Sequence, residues 1–196
     1  MPKAIKIYEH GGPEVLKWED VSVSNPGKGE VVLETTAAGL NFIDVYQRSG
    51  LYPVELPMTL GAEGAGIVAE VGPDVTNVSM GQRVAYSGGQ IGAYAEKRLI
   101  SADALIPIPD DIDDHEAAAA MLKGLTCHML LYKCYHVQPG DVVLIHAAAG
   151  GVGSLLCQWA KHIGATVVGT AGGSSKVEKA RKNGCGHVID YTKESF

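Results

Sequence analysis

The sequence predicts an α/β protein in two parts, a β-rich N-terminal domain followed by the first half of a doubly wound parallel sheet. Three observations carry this reading. Short apolar runs separated by Gly and Pro fill residues 4–100. An Ala/Gly turn, Ala147-Ala148-Ala149-Gly150-Gly151-Val152-Gly153, lies between an apolar run and a helical pattern. Around that turn the chain reads β-α-β-α-β as far as Tyr191.

Taken in order, Ala4–Tyr8 alternates and Val31–Thr35 is strand-like. Gly66–Gly72 ends at a Gly-Pro turn, and strands over Gln82–Tyr86 and Tyr94–Ile100 follow. Short strands with such turns indicate a small barrel-like domain. A short helix is expected over Phe42–Arg48. The character changes near Asp110. Asp113-Asp114-His115-Glu116 opens a helix through Leu122, and a second helix is expected over Leu125–Tyr135. After the Pro139-Gly140-Asp141 turn come a strand at Val142–His146, a helix at Leu155–Lys161 and a strand at Thr166–Thr170. A helix at Lys176–Asn183, closed by Gly184, and a strand at His187–Tyr191 complete the pattern. There is no internal repeat and no low-complexity segment.

The chain has 196 residues, 46% hydrophobic and 19% charged, which suits a soluble globular protein of one or two domains. The net charge of -6, with both signs interspersed, argues against a nucleic-acid surface. Cys127, Cys134, Cys157 and Cys185 form no C-x-x-C pair and have no His cluster beside them. A disulfide framework or structural zinc is therefore not expected, and free thiols point to the reducing cytoplasm. No apolar run is long enough for a membrane span. Met1-Pro2-Lys3-Ala4-Ile5 enters a strand directly, without a signal-peptide core.

Strand, Gly-rich turn and helix in that order form the entrance to a dinucleotide site. Glycines let the backbone approach a pyrophosphate, and the helix start offers N–H groups and a positive dipole end. Ala148 stands in the first glycine place of G-x-G-x-x-G, so Ala149, Gly150, Gly151, Val152 and Gly153 are the candidate contacts. A site for NAD carries an acid at the end of the second strand. Here that place falls at Ala171-Gly172-Gly173, without a carboxylate, and Ser174, Ser175 and Lys176 follow. Hydroxyls and an ammonium can meet a 2′-phosphate. The alternative makes Ser174-Ser175 a helix cap and Lys176 a solvated charge. A cation in a first helical turn opposes the dipole, which favours the phosphate reading.

With these elements laid out, the chain resembles the zinc-free quinone oxidoreductases of the medium-chain dehydrogenase/reductase superfamily. The segments that carry the resemblance are Gly11-Gly12-Pro13-Glu14-Val15-Leu16, Ala38 through Tyr46, Gly61-Ala62-Glu63-Gly64-Ala65-Gly66, Gly124-Leu125-Thr126 and the Ala147–Gly153 turn. It implies a GroES-like catalytic domain over 1–123 and part of a Rossmann domain over 124–196. It also implies NADPH as donor, a quinone or related electrophile as acceptor, and a homodimer. Family members are longer, so the resemblance implies a C-terminally truncated form without the second Rossmann half.

Zinc-dependent relatives place a Cys at Asn41 and a His at Ala62, and their cysteine-rich lobe after Tyr86 is replaced here by Ser87-Gly88-Gly89-Gln90-Ile91-Gly92. The expectation is zinc-independent chemistry, with Glu63 a structural hydrogen-bond acceptor. The resemblance places Gly172, Lys176 and Tyr191 around the 2′-phosphate and Thr126 near the nicotinamide. Lys123, in the hinge, would attract the pyrophosphate or remain a solvated charge. Asn41, Asp44, Tyr46 and Tyr52 are the catalytic candidates. Against them stand bland roles: a helix-start carboxylate for Asp44, packing for the tyrosines. His146 is expected to be a packed histidine. Two rival functions remain open, an NADPH-dependent reductase of activated C=C bonds and a non-catalytic cofactor-binding or interaction form.

Overall fold

The protein is described from a computed structural model, which covers residues 1–195. The chain divides into two compact units, Met1–Leu122 and a second from Lys123 onward.

The first unit contains β1 (Lys3–Ile7), β2 (Lys17–Asp20), β3 (Glu30–Gly39), α1 (Phe42–Ser49), β4 (Met58–Thr59) and β5 (Glu63–Val71). It continues with β6 (Arg83–Ser87), β7 (Lys97–Ser101) and β8 (Ile106–Pro107). Five strands form an antiparallel sheet in the order β7-β3-β5-β6-β8, and a smaller sheet runs β2-β1-β4. Val31, Val32 and Leu33 are all buried, so both faces of β3 are covered there. Tyr86, Val68, Val84 and Ile100 pack with Val31 and Leu33 as the main core. Register shifts at Val32/Leu33 and Thr35/Ala37 bend the long β3–β5 pair.

The two helices expected over 113–135 are one. α2 (Asp114–His128) runs on into a π-helical segment, Met129–Cys134, and the boundary between units falls inside it. Gly124 costs about 1 kcal/mol relative to Ala in a helix, too little to end one that begins on an alanine run. Ala117 and Ala118 pack with Ala65, Ala85 and Ile108. The helix start is tied down by charge. Asp113 accepts the Glu116 N–H at 2.8 Å. Asp114 accepts from Thr36 Oγ1 at 2.6 Å and from Arg83 Nε at 2.8 Å.

The second unit holds β9 (Val142–Ile145), α3 (Gly151–Ile163), β10 (Thr166–Ala171), α4 (Ser174–Lys182) and β11 (His187–Asp190). The strands are parallel in the order β11-β10-β9. α3 starts four residues before the apolar pattern does, because the glycine turn itself supplies its first turn. Ile145, Cys157, Ala160, Val167, Ala180 and Val188 form the core. Val143 packs against this core, while Val142 and Leu144 on edge strand β9 are 71% and 54% exposed. Among the described residues, no helix is long and apolar enough to cross a membrane.

Two predictions follow from this packing. The Thr36 hydroxyl, then the Arg83 guanidinium, hold the Asp114 carboxyl below its ordinary range. A lowered folded-state pKa gives stability that is full above the unfolded value near about 4 and is lost as pH falls through the folded one. Asp114→Asn should cost about 1 kcal/mol at neutral pH. Urea unfolding at low pH should show the gap between parent and variant closing; a constant gap would contradict the assignment. Separately, the Cys157 and Cys185 sulfurs lie 3.2 Å apart, and burial, then Cys185, pushes the Cys157 thiol up to about 12. Iodoacetamide at mildly alkaline pH should label exposed Cys134 and spare Cys157, as read by mass spectrometry. Equal labelling would refute the buried pair.

Candidate functional site

In the second unit, the turn after β9 is built from backbone. Ala147 takes φ +50°, a left-handed conformation that costs a residue with a Cβ on the order of 1 kcal/mol. Its carbonyl accepts the Gly150 N–H at 2.7 Å, while the Ala148 N–H reaches Thr170 O at 3.0 Å and ties the turn to β10. A Cβ on Gly153 would sit 2.3 Å from Ala147 O, so only glycine lets α3 come this close. The Ser154 N–H makes the first bond inside α3, to Gly150 O at 2.9 Å. The N–H groups of Gly151, Val152 and Gly153 therefore precede the helical ladder, at its positive end. Ala149 is half-buried just before them. The Lys123 side chain lies over Gly151, where an added Cβ would come within 3.0 Å of Lys123 Cε. Thr126 is one turn further along α2, and its neighbour Cys127 donates to Val152 O at 3.6 Å.

The second backbone cradle follows β10. Gly173, with φ +88°, is the N-cap of α4, and Ser174, Ser175 and Lys176 are its exposed first turn. The alternative that Ser174-Ser175 cap the helix is thus corrected: glycine takes the left-handed position that precedes it. The Tyr191 ring covers Gly172, where a Cβ would lie 2.6 Å from the phenol oxygen. Asp190, not singled out from sequence, holds this turn. Its Oδ1 accepts from Gly173 N at 2.9 Å, Thr192 N at 3.1 Å and Thr192 Oγ1 at 2.7 Å. The Gly173 N–H, then Thr192, holds its carboxyl below the ordinary range. The signal available in sequence was Asp-x-Thr at a strand end, the pattern of an Asx turn. His146 is exposed rather than packed, with Nδ1 3.2 Å from Thr170 Oγ1; it continues the alternation of β9 on the same face as exposed Val142 and Leu144, opposite core-facing Val143 and Ile145.

In the first unit, Asn41 is the N-cap of α1 and Asp44 stands at its third position. Both are buried. Asn41 Nδ2 donates to Glu63 Oε2 at 2.7 Å, and Asp44 Oδ2 accepts the Asn41 N–H at 2.9 Å and the Tyr94 hydroxyl at 2.6 Å. Burial, then this bond to Asp44, pushes the Tyr94 phenol well above its ordinary range, so it remains a donor. Glu63 Oε1 accepts the Leu122 N–H at 2.6 Å. The rings of Tyr46 and Tyr52 lie 5.2 Å apart, fixed by a bond from the Tyr52 N–H to Tyr46 O at 3.1 Å. Phe42 packs edge-on against Tyr46 at 5.2 Å and is 70% exposed. Sequence reasoning missed Phe42, although its spacing of four from Tyr46 on a helix was the signal.

The structure thus gathers the catalytic candidates in one unit and the cofactor candidates in the other. The first set offers an amide and aromatic faces; the second offers N–H groups, hydroxyls and cations suited to phosphates. Among the described residues, no group of three or more His, Cys, Asp or Glu is placed to hold a metal ion.

Two stretches of the chain match known protein families. Residues 27–110 match the alcohol dehydrogenase GroES-like domain family, and residues 151–196 match the zinc-binding dehydrogenase family. The chain is 46% identical to 2-haloacrylate reductase of Burkholderia sp over 202 aligned residues, covering 100% of this chain and 61% of that protein. It is 48% identical to quinone oxidoreductase of Pseudomonas aeruginosa, covering 100% of this chain and 60% of that one. The crystal structure of Escherichia coli quinone oxidoreductase complexed with NADPH superposes with a TM-score of 0.96 at 45% identity, over 98% of this chain and 60% of that chain. The chain therefore spans about 60% of the length of the relatives it matches.

The glycine turn makes a sharp prediction. Gly153→Ala drives a methyl into the Ala147 carbonyl and should cost about 2–3 kcal/mol. Gly151→Ala displaces only a lysine methylene and should change little. Thermal unfolding separates the two; equal losses would remove the close-approach role of Gly153.

Proposed function

We propose that the chain, which resembles the quinone oxidoreductases of the medium-chain dehydrogenase/reductase superfamily, serves NADPH-dependent reduction of quinones without zinc. The observation that carries this reading is the phosphate cradle of the second unit. Two backbone turns end in helix N-termini, the acid of an NAD site is missing at Gly172-Gly173, and hydroxyls and an ammonium follow at Ser174–Lys176. Asp190, the carboxylate close by, is already engaged by Gly173 and Thr192.

These residues fit NADPH. The N–H groups of Gly151, Val152 and Gly153, with Lys123 over them, would hold the pyrophosphate. Ser174, Ser175 and Lys176 would hold the 2′-phosphate, with Tyr191 and Gly172 beside it. The reduced nicotinamide supplies the hydride when bound. Tyr46 and Tyr52 present ring faces and hydroxyls to a flat acceptor, and the Asn41 amide offers a hydrogen-bonding group. Asp44 orients Asn41 and Tyr94 rather than reacting. A quinone is already electrophilic and its reduced oxygens take protons from water, so the protein's task is positioning.

The 46% identity to 2-haloacrylate reductase favours a second reading, reduction of activated C=C bonds on the same scaffold. The cytoplasm is the proposed location, supported by four free cysteines. A homodimer is the proposed assembly, on the resemblance to the family alone.

Steady-state assays with NADPH, para-benzoquinone and an enone test the function. Faster quinone turnover supports the first reading; faster enone turnover puts the second in its place. For the cofactor, Lys176→Ala should weaken NADPH binding on the order of 10-fold, the loss of one charge-assisted contact, and leave NADH unchanged. Equal losses in a fluorescence titration would rule out contact with the 2′-phosphate.

A further inference from the structure

We propose that Glu63 is the positioning residue of the acceptor site, fixing which way the Asn41 amide faces. The proposal rests on the quinone-reduction reading and assigns a part of its machinery to a residue that sequence reasoning treats as structural.

Glu63 is 0% exposed. Its Oε2 accepts from Asn41 Nδ2 at 2.7 Å and its Oε1 from the Leu122 N–H at 2.6 Å. Space has been made for it: a Cβ on Gly39 would lie 2.3 Å from Glu63 Oε2 and 2.3 Å from Ala118 O. An ionised carboxylate only accepts, so the amide of Asn41 must turn its nitrogen towards Glu63 and its Oδ1 away. The flipped amide would set oxygen against oxygen in a buried place. The backbone of Asn41 is held independently, by the bond from its N–H to Asp44 Oδ2, which the Tyr94 hydroxyl also meets. Asn41 is therefore held at its backbone by Asp44 and at its amide nitrogen by Glu63, with its amide oxygen towards the Asp44 N–H. Its Oδ1 faces that N–H in the capping box of α1, so what the fixed amide offers a ligand is the second Nδ2 hydrogen, a donor suited to a carbonyl oxygen. A group held in one orientation before binding costs nothing to order during the reaction. Glu63 acts through Asn41 and need touch neither acceptor nor cofactor.

The test is a double-mutant cycle in the full chain: parent, Glu63→Gln, Asn41→Ala and both together. Glu63→Gln keeps the volume that Gly39 leaves open while removing one of the two acceptors. Turnover of para-benzoquinone with NADPH should fall about 10- to 100-fold in Glu63→Gln, mainly in kcat. In the Asn41→Ala background the same change should have almost no further effect. Multiplying losses would show that Glu63 acts independently of Asn41 and would overturn the proposal. A second measurement needs neither variant nor activity. In the 15N-labelled parent, the side-chain amide protons of Asn41 should be protected from hydrogen exchange. Rapid exchange would overturn the pairing, even if Glu63→Gln fails to fold. A parent that reduces no acceptor refutes the quinone reading, while the exchange measurement still decides on Glu63.

Discussion

A carboxylate taken out of water costs several kcal/mol unless donors meet it, and Glu63 imposes that demand on the whole first unit. Its donors come from distant parts of the chain, Asn41 at a separation of 22 residues and Leu122 at 59. Meeting it requires β5 to deliver the carboxylate, the start of α1 to deliver an amide and α2 to deliver a backbone N–H. It also requires β3 to end at a residue with no side chain, Gly39. The sheet, the short helix and the long helix are thereby arranged around one buried charge. The aromatic residues Phe42, Tyr46 and Tyr52 take their places from the helix that this charge anchors.

The second unit solves the opposite problem. Its buried carboxylate, Asp190, is met by the Gly173 and Thr192 groups beside it, and the N–H groups at the starts of α3 and α4 are main-chain donors. Holding them takes close approach rather than side-chain chemistry. Ala147 accepts a left-handed conformation, Gly153 gives up its side chain, and Asp190 reaches from β11 to fix the turn before α4. One unit spends side-chain donors on an anion of its own; the other keeps main-chain donors ready for an anion that arrives. That division matches the two tasks of a reductase in which a cofactor carries the charge and the acceptor is a flat, neutral ring.

The β-α-β-α-β order was legible because each element has its own period and the glycines mark the turns between them. The glycine turns of the second unit were legible for a related reason: what matters there is local, a run of small residues. The hydrogen-bond network of the first unit was less so. Asn41 and Asp44 stand close in sequence and were found together, yet the partner that orients Asn41 lies on another strand. Asp190 was hidden in the same way, a strand residue whose role depends on the neighbouring β10. Gly124 misled because a glycine in a helix is a small local cost, outweighed by the packing of the alanines before it. His146 misled because which face of β9 is covered depends on the helix packed against the sheet, which the residues around it do not state.

The Tyr191 ring over Gly172 bears on how cofactor choice can evolve. Converting such a site towards NADH means placing an acid at the end of β10, and Gly172 is the natural position for it. The space a side chain there would need is already filled by the phenol. A side chain at Gly172 therefore requires the Tyr191 ring to move or to be replaced. The two positions are sterically coupled, so what one can become depends on what stands at the other.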